Sequence, residues 1–463
     1  MSVSKSVFGR SLGLKLLLVC GLVLLMGIPA LFISFISYER AGRADQVTRD
    51  VSARYGGDQS VLGPILVAPY TRYDQDGAIS RIGQYVVFAE SGSATIDDLT
   101  TDTQQRSLYK VQTYQASADF KASFALPENL DSLNAGRTID WSRAQILIGM
   151  SDVRGLRDDV FLTAGDGKRR QFEPALSNDL QGQIGRSNDI YSKTFSSMPT
   201  VMSGTGLQYM SVDVGDLIET GSFDVEALLP IKGAQKLTVA PFAKSTKAFV
   251  KGDWPHPGFQ GKFPPDNREI TDTGFSAAWS VPFLARGIPA RGPAETLSLG
   301  TFNQRAMGID LVQIVNPYQK VNRALKYAIM FIGLVFLAYF LFEVMIGVRV
   351  HAAQYILIGL AQCIFYLLLL AFSEHVGFAL AFLIAAGATI AATAGYAGAV
   401  FGDRKYALRA GLVFAAVYAL LYVLMQIEDF ALMVGAITSF LAIAGTMYLT
   451  RNIDWYGITK TQG

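Results

Sequence analysis

The chain has 463 residues, enough for two or three domains, with 40 Lys and Arg against 38 Asp and Glu. A net charge of +2 excludes the strongly basic balance of a nucleic-acid binder. Charged residues make up 17%, against about 25% in an average soluble chain, and the deficit sits in residues 15–36 and 326–450, so the chain is part membrane protein and part globular domain.

Residues 1–38 read as a cytoplasmic N-terminus and an anchor helix. Leu16 to Ile36 is uncharged, follows Lys5, Arg10 and Lys15, and matches the roughly 20 residues needed to cross a ~30 Å hydrocarbon layer. It ends without a small-residue cleavage site, so an uncleaved anchor is expected, with helix continuing over 40–55.

Residues 39–325 contain neither cysteine, since Cys20 and Cys363 both lie in apolar segments, so disulfides do not hold this region together. Period-two alternation marks half-buried strands, most clearly at Ala116, Ala118, Phe120, Ala122, Phe124 and Leu126. Further strands are expected at Arg81–Glu90, Ala144–Met150, Tyr209–Val214, Gly221–Leu229 and Leu237–Phe242, broken by turns at Asp166–Gly167, Asn129 and Gly204–Gly206. The expected fold is a mainly antiparallel, sandwich-like β domain. Phe120–Pro127 and Phe223–Pro230 end alike, which raises a diverged duplication with two β lobes.

Residues 326–450 predict a five-helix transmembrane bundle, with spans near Lys326–Val348, Gln354–Phe372, Val376–Gly402, Tyr406–Ile427 and Phe430–Leu449, followed by a cytoplasmic tail at 451–463. One set of turns and ends carries Arg349, then Arg404, Lys405 and Arg409, then Arg451 and Lys460. The other set, Ser373–His375 and Glu428–Asp429, carries no Lys or Arg. Positive residues stay cytoplasmic, so both termini are expected inside and 39–325 in the periplasm of a Gram-negative type cell.

Three blocks carry a family resemblance: Gly57 to Tyr70 (GDQSVLGPILVAPY), Trp254 to Gly261 (WPHPGFQG) running on to Gly274–Trp279, and the membrane block from Tyr327 through Gln354–Tyr355, Ser373–Phe378 and Glu428–Asp429. In this order, over nearly the whole chain, they resemble the CreD family of inner-membrane proteins. Gly258, where the family motif more often has Ser, and Phe263–Pro265 depart from the pattern and weaken any hydroxyl-based role there. The resemblance implies envelope integrity, with links to a two-component stress response and to colicin tolerance; it implies no biochemical activity.

Candidate residues each have a bland counterpart. Trp254, His256 and Phe259 form a proline-stiffened loop that fits glycan contact or, more simply, the sealing of a sandwich end. Gln59 and Gly63 precede an apolar strand, where Gln59 could satisfy the backbone of a neighbouring loop. Glu343 lies in a span about six residues from Arg349, where an unpaired carboxylate costs roughly 2.5–3.5 kcal/mol, so it faces a partner, snorkels, or relays protons. Glu374, His375, Glu428 and Asp429 occupy the outer turns. They read as a docking or relay cluster meeting Arg323 and Lys326, or as helix caps supplied by Ser373 and Asp429. Gly387, Ala391, Gly395 and Ala399 form a small-residue ridge for packing within the bundle or between protomers of a homo-oligomer.

No catalytic, metal or cofactor motif is present, and the sequence favours a non-enzymatic role. The leading expectation is an envelope-integrity or stress-response protein binding an envelope protein, a glycan or membrane lipid through its periplasmic domain. Two alternatives stay open: a transporter or lipid-handling protein using Glu343, Gln362 and the outer acids, and a periplasmic envelope hydrolase built on paired carboxylates.

Overall fold

The computed structural model describes residues 12–106, 108–127, 130–133, 136–175, 206–297, 305–311, 317–348, 350–427 and 430–451. The chain divides into two compact units, Gln46–Ile314, and Met1–Asp45 with Val315–Gly463.

The second of these is helical. Its elements are the first part of α1 (Leu12–Arg54), then α2 (Pro317–Lys326), α3 (Ala328–Ile346), α4 (Ala352–Val376), α5 (Phe378–Phe401), α6 (Arg404–Gln426) and α7 (Ala431–Thr450). Among the described residues, α1 and α3 to α7 are the helices long and apolar enough to cross a membrane. Local chemistry fixes their ends. Tyr327 breaks the amphipathic α2 from the apolar α3, and Gly347 ends α3 in the left-handed region. His351 and Gln354 form a capping box on α4, and Asp403 caps α6. Gly359 lets α1 approach α4, since a Cβ there would meet Met26 Cγ at 2.6 Å and Phe336 Cζ at 2.8 Å.

The β unit is built from two sheets. In one, β14 (Pro257–Gly261), β18 (Met307–Leu311), β12 (Lys236–Ala240), β1 (Gln59–Tyr73), β6 (Gln145–Met150), β10 (Gln208–Asp213) and β9 (Glu173–Pro174) lie in that order. Beside β1 pair β2 (Ile79–Val87) and β5 (Thr138–Ile139), and β17 (Arg291–Pro293) pairs with β2. The other sheet runs β15 (Asn267–Thr271), β16 (Gly274–Val281), β13 (Ala243–Gly252), β3 (Ala89–Arg106), β4 (Tyr109–Ala125), β11 (Ser222–Ala234), β7 (Phe161–Ala164) and β8 (Arg169–Gln171). One core joins them. Opposite Gly63 of β1, Phe120 and Phe242 meet edge-on at 5.6 Å, and a Cβ on that glycine would stand 2.6 Å from the Phe242 ring.

Most pairings are antiparallel, but β1 pairs with β12 and β3 with β13 in parallel. Two of the passages from the first sheet to the second are short and run in the same sense, through Phe88 before Ala89 and Phe242 before Ala243, and those two alanines are register partners. The expected strand Arg81–Glu90 is split at the first crossing. The alike segments Phe120–Pro127 and Phe223–Pro230 do not form two lobes: β4 and β11 are neighbours in one sheet, with Phe124 opposite Phe223, inside a single unit. Asn129, Gly204 and Arg349, named above as turn or loop residues, lie outside the described residues.

Candidate functional site

The first charges after the apolar run of α1 are Glu39 and Arg40, and Arg40 Nη1 stands 3.5 Å from Glu374 Oε2 near the end of α4. Tyr318 of α2 donates to Glu374 Oε1 at 2.9 Å. One nearly buried carboxylate thus holds both α1 and α2, the helices through which the chain leaves the helical unit and returns to it. His375 beside it is exposed. Arg323 donates to the Met425 carbonyl at 3.1 Å, Lys320 to Gln426 Oε1 at 3.5 Å, and Lys326 is exposed. The basic partner of Glu374 is therefore Arg40. Ser373 does not cap the next helix; its hydroxyl donates back to Leu370 O at 2.8 Å, and Gly377 occupies the N-cap of α5. Glu428 and Asp429 lie outside the described residues.

At the other end of α1, Lys15 Nζ pairs with Glu343 Oε1 and donates to Val350 O at 2.8 Å. Glu343 Oε1 also accepts from Val350 N at 3.0 Å, and Oε2 from Tyr355 OH at 3.0 Å. The carboxylate is 5% exposed and has partners on both oxygens, which is how a charge tolerates such a site. Deeper in the bundle, Tyr418 OH donates to Gln362 Oε1 at 2.6 Å, leaving Gln362 Nε2 buried without a partner. Gly387, Ala391, Gly395 and Ala399 all face outward on α5, with nothing near Gly387 or Gly395. The close contact to α6 is made instead at Gly398, whose added Cβ would meet Ala407 Cβ at 2.8 Å.

In the β unit, Pro257–Gly261 is not a loop but strand β14, paired with β18. Trp254 Nε1 donates to His256 O at 3.0 Å, and Phe259 packs edge-on against Trp279 at 6.2 Å. Both aromatics lie half-buried against the core, while His256 is exposed. These contacts fix the segment against the β core. Gln59 does satisfy its neighbours, donating to Gly56 O at 2.6 Å and Asp152 O at 3.0 Å. Burial raises the carboxyls of Asp58 and Asp310 above the ordinary range, against the opposing pull of Lys236. Among the described residues no group of three or more His, Cys, Asp or Glu is placed to hold a metal ion.

A family model described as inner membrane protein CreD matches residues 11–456. The chain belongs to the CreD family. It is also 29% identical over 449 residues to inner membrane protein CreD of Escherichia coli (strain K12), covering 95% of this chain and 92% of that one. This CreD-family chain is accordingly a multi-pass inner-membrane protein, with a sheet-rich middle domain between an apolar N-terminal helix and a bundle of apolar helices.

Three contacts of this CreD-family protein are not foreseen from the sequence: those of Lys15, Arg40 and Tyr318. A signal for the first two exists, since they are the basic residues nearest each end of the uncharged run. Each can reach only groups at the same membrane depth, which Glu343 and Glu374 supply. Tyr318 carries no such signal.

Proposed function

We propose that the protein keeps its termini in the cytoplasm and its β unit in the periplasm, binds an envelope component there, and passes the bound state to the bundle through α1 and α2. The observation carrying this reading is that Glu374 holds Arg40 and Tyr318 together. These residues stand on the two segments by which the chain leaves for the β unit and returns from it, so both connections meet at one carboxylate. The positive charge at Arg404, Lys405 and Arg409, opposite the turn that bears Glu374, supports the orientation. Envelope integrity is then maintained by a tethered binding domain rather than by chemistry. Against the transporter alternative stands the engagement of both Glu343 oxygens, which already have partners within the bundle.

The test is a pull-down from solubilised envelope with the full chain as bait. The proposal expects a saturable protein, glycan or lipid partner whose recovery drops when β-unit surface residues are changed. Recovery of nothing, or of a partner indifferent to those changes, contradicts it.

A further inference from the structure

A separate cluster lies within the β unit, on one face of the β2–β1–β5 strands. The register sets Tyr70 beside Gly83 on one side and Ile139 on the other, and Ala68 beside Tyr85. Alternation along the strands then puts Arg81, Gly83, Tyr85, Tyr70, Arg137 and Ile139 on the same face. Gly83 is what lets the Tyr70 ring lie flat across its neighbour, since a Cβ there would stand 2.6 Å from Tyr70 Cε1. The guanidinium carbon of Arg137 sits 5.4 Å from the Tyr70 ring centre and 5.8 Å from that of Tyr85. Trp141 meets Tyr85 edge-on at 6.3 Å.

Two donors here are buried with nothing to donate to: Arg137 Nε and Trp141 Nε1. Buried N–H groups are almost always paired, because leaving one unmade forfeits its hydration without return. The nearby acid does not reach them: Glu295 accepts from Tyr70 OH and pairs with Arg81 at 3.5 Å, both through Oε1, and bonds neither of these two donors. Arg137 and Arg291 have no carboxylate ion pair among the described residues, so of the three guanidiniums around Tyr70 and Tyr85 only Arg81 is paired with an acid. An unpartnered acceptor, Gln84 Oε1, belongs to the opposite face of β2. The cluster is thus rich in unused donors and positive charge, and its walls are aromatic. Arg137 is itself half-exposed, which gives a way in.

We propose that this cluster binds the oxyanion of a small ligand, a carboxylate or a phosphate, with Arg137 Nε and Trp141 Nε1 donating to it and the Tyr70 and Tyr85 rings excluding water. A planar guanidinium matches either oxyanion. The site supplies a ligand class for the β unit and rests on the preceding reading only for where the ligand comes from.

The full chain in a neutral detergent is titrated at constant ionic strength with sodium phosphate, sodium acetate, and monomeric dihexanoyl phosphatidylglycerol, reading tryptophan fluorescence and heat. At least one probe is expected to bind saturably, with Arg137→Ala weakening it tenfold or more and Trp254→Phe leaving it unchanged. Arg137→Lys, which keeps the charge and is the milder change for folding, is expected to weaken binding severalfold because it lacks the Nε donor. Phosphate or acetate binding as tightly as the lipid points to a free anion, and tenfold tighter lipid binding to a headgroup. Saturation by no probe, or equal binding by wild type and both Arg137 variants, overturns the proposal and means that water alone meets these donors. An envelope partner still recovered in the pull-down would then leave the wider reading standing.

Discussion

Lys15 and Arg40 stand about 25 residues apart on one continuous helix, roughly 38 Å at ~1.5 Å per residue, and each pairs with a glutamate of the bundle. That separation slightly exceeds the ~30 Å hydrocarbon layer, so α1 is held at both membrane edges and its apolar stretch lies between the two clasps. The clasps differ in character. Lys15 meets a buried, fully partnered carboxylate, whereas Arg40 is about half-exposed and its pairing with Glu374 is long.

The clasp at Lys15 is the stronger one. Lys15→Met leaves Glu343 buried without its cation and is expected to lower stability by about 3–5 kcal/mol. Adding Glu343→Leu to the same chain is expected to recover most of that loss. Thermal unfolding of the single and double variants in detergent checks both, and additive losses would show that the two side chains are not coupled.

The clasp at Arg40 is expected to loosen with little global cost. A pair as exposed as Arg40 with Glu374 contributes about 0–1 kcal/mol, and Tyr318→Phe removes one hydrogen bond of roughly 0.5–1.5 kcal/mol. Hydrogen exchange should therefore speed up in α2 and around Arg40 in Glu374→Ala, while the unfolding midpoint of the bundle moves only slightly. A large shift of the whole bundle would contradict the local role given to Glu374.

Much of this layout is legible in the sequence. Uncharged runs of spanning length report helices directly, because lipid tolerates little else, and strict alternation such as Ala116 to Leu126 reports strands. Partners are another matter. Nothing local tells Glu343 to choose Lys15 or Glu374 to choose Arg40, since each pair is more than 300 residues apart in sequence and is brought together by helix packing. The crossings at Phe88 and Phe242 were hidden for a similar reason. A strand that changes sheets without a turn keeps its alternation, so Arg81–Glu90 looks like one strand.

Tyr70 gives a pH signature in the β unit. Burial first, and then the Glu295 carboxylate that accepts its proton, push the phenol up to about 12. An acid whose folded value is raised stabilises the fold fully below its ordinary value near 10, and that contribution fades as pH rises toward 12. Tyr70→Phe is expected to flatten alkaline unfolding between those limits. Tyrosinate absorbance recorded alongside should show one phenol fewer titrating late.

Gln59 is expected to matter through the backbone alone. Gln59→Ala removes the donor to Gly56 O and Asp152 O at a cost of about 1–3 kcal/mol, with the β unit unfolding at lower denaturant and the bundle unaffected. Separate tryptophan and far-UV signals would distinguish the two transitions. Unchanged β-unit stability would mean that neither carbonyl depends on this side chain.

The most direct measurement is the accessibility of Asp76, an exposed residue in the turn between β1 and β2. In a chain carrying Cys20→Ser and Cys363→Ser, Asp76→Cys is treated in intact cells with a small, membrane-impermeant maleimide. Labelling before any disruption of the inner membrane is the predicted result. Labelling only after that membrane is broken would put the β unit in the cytoplasm and contradict the account.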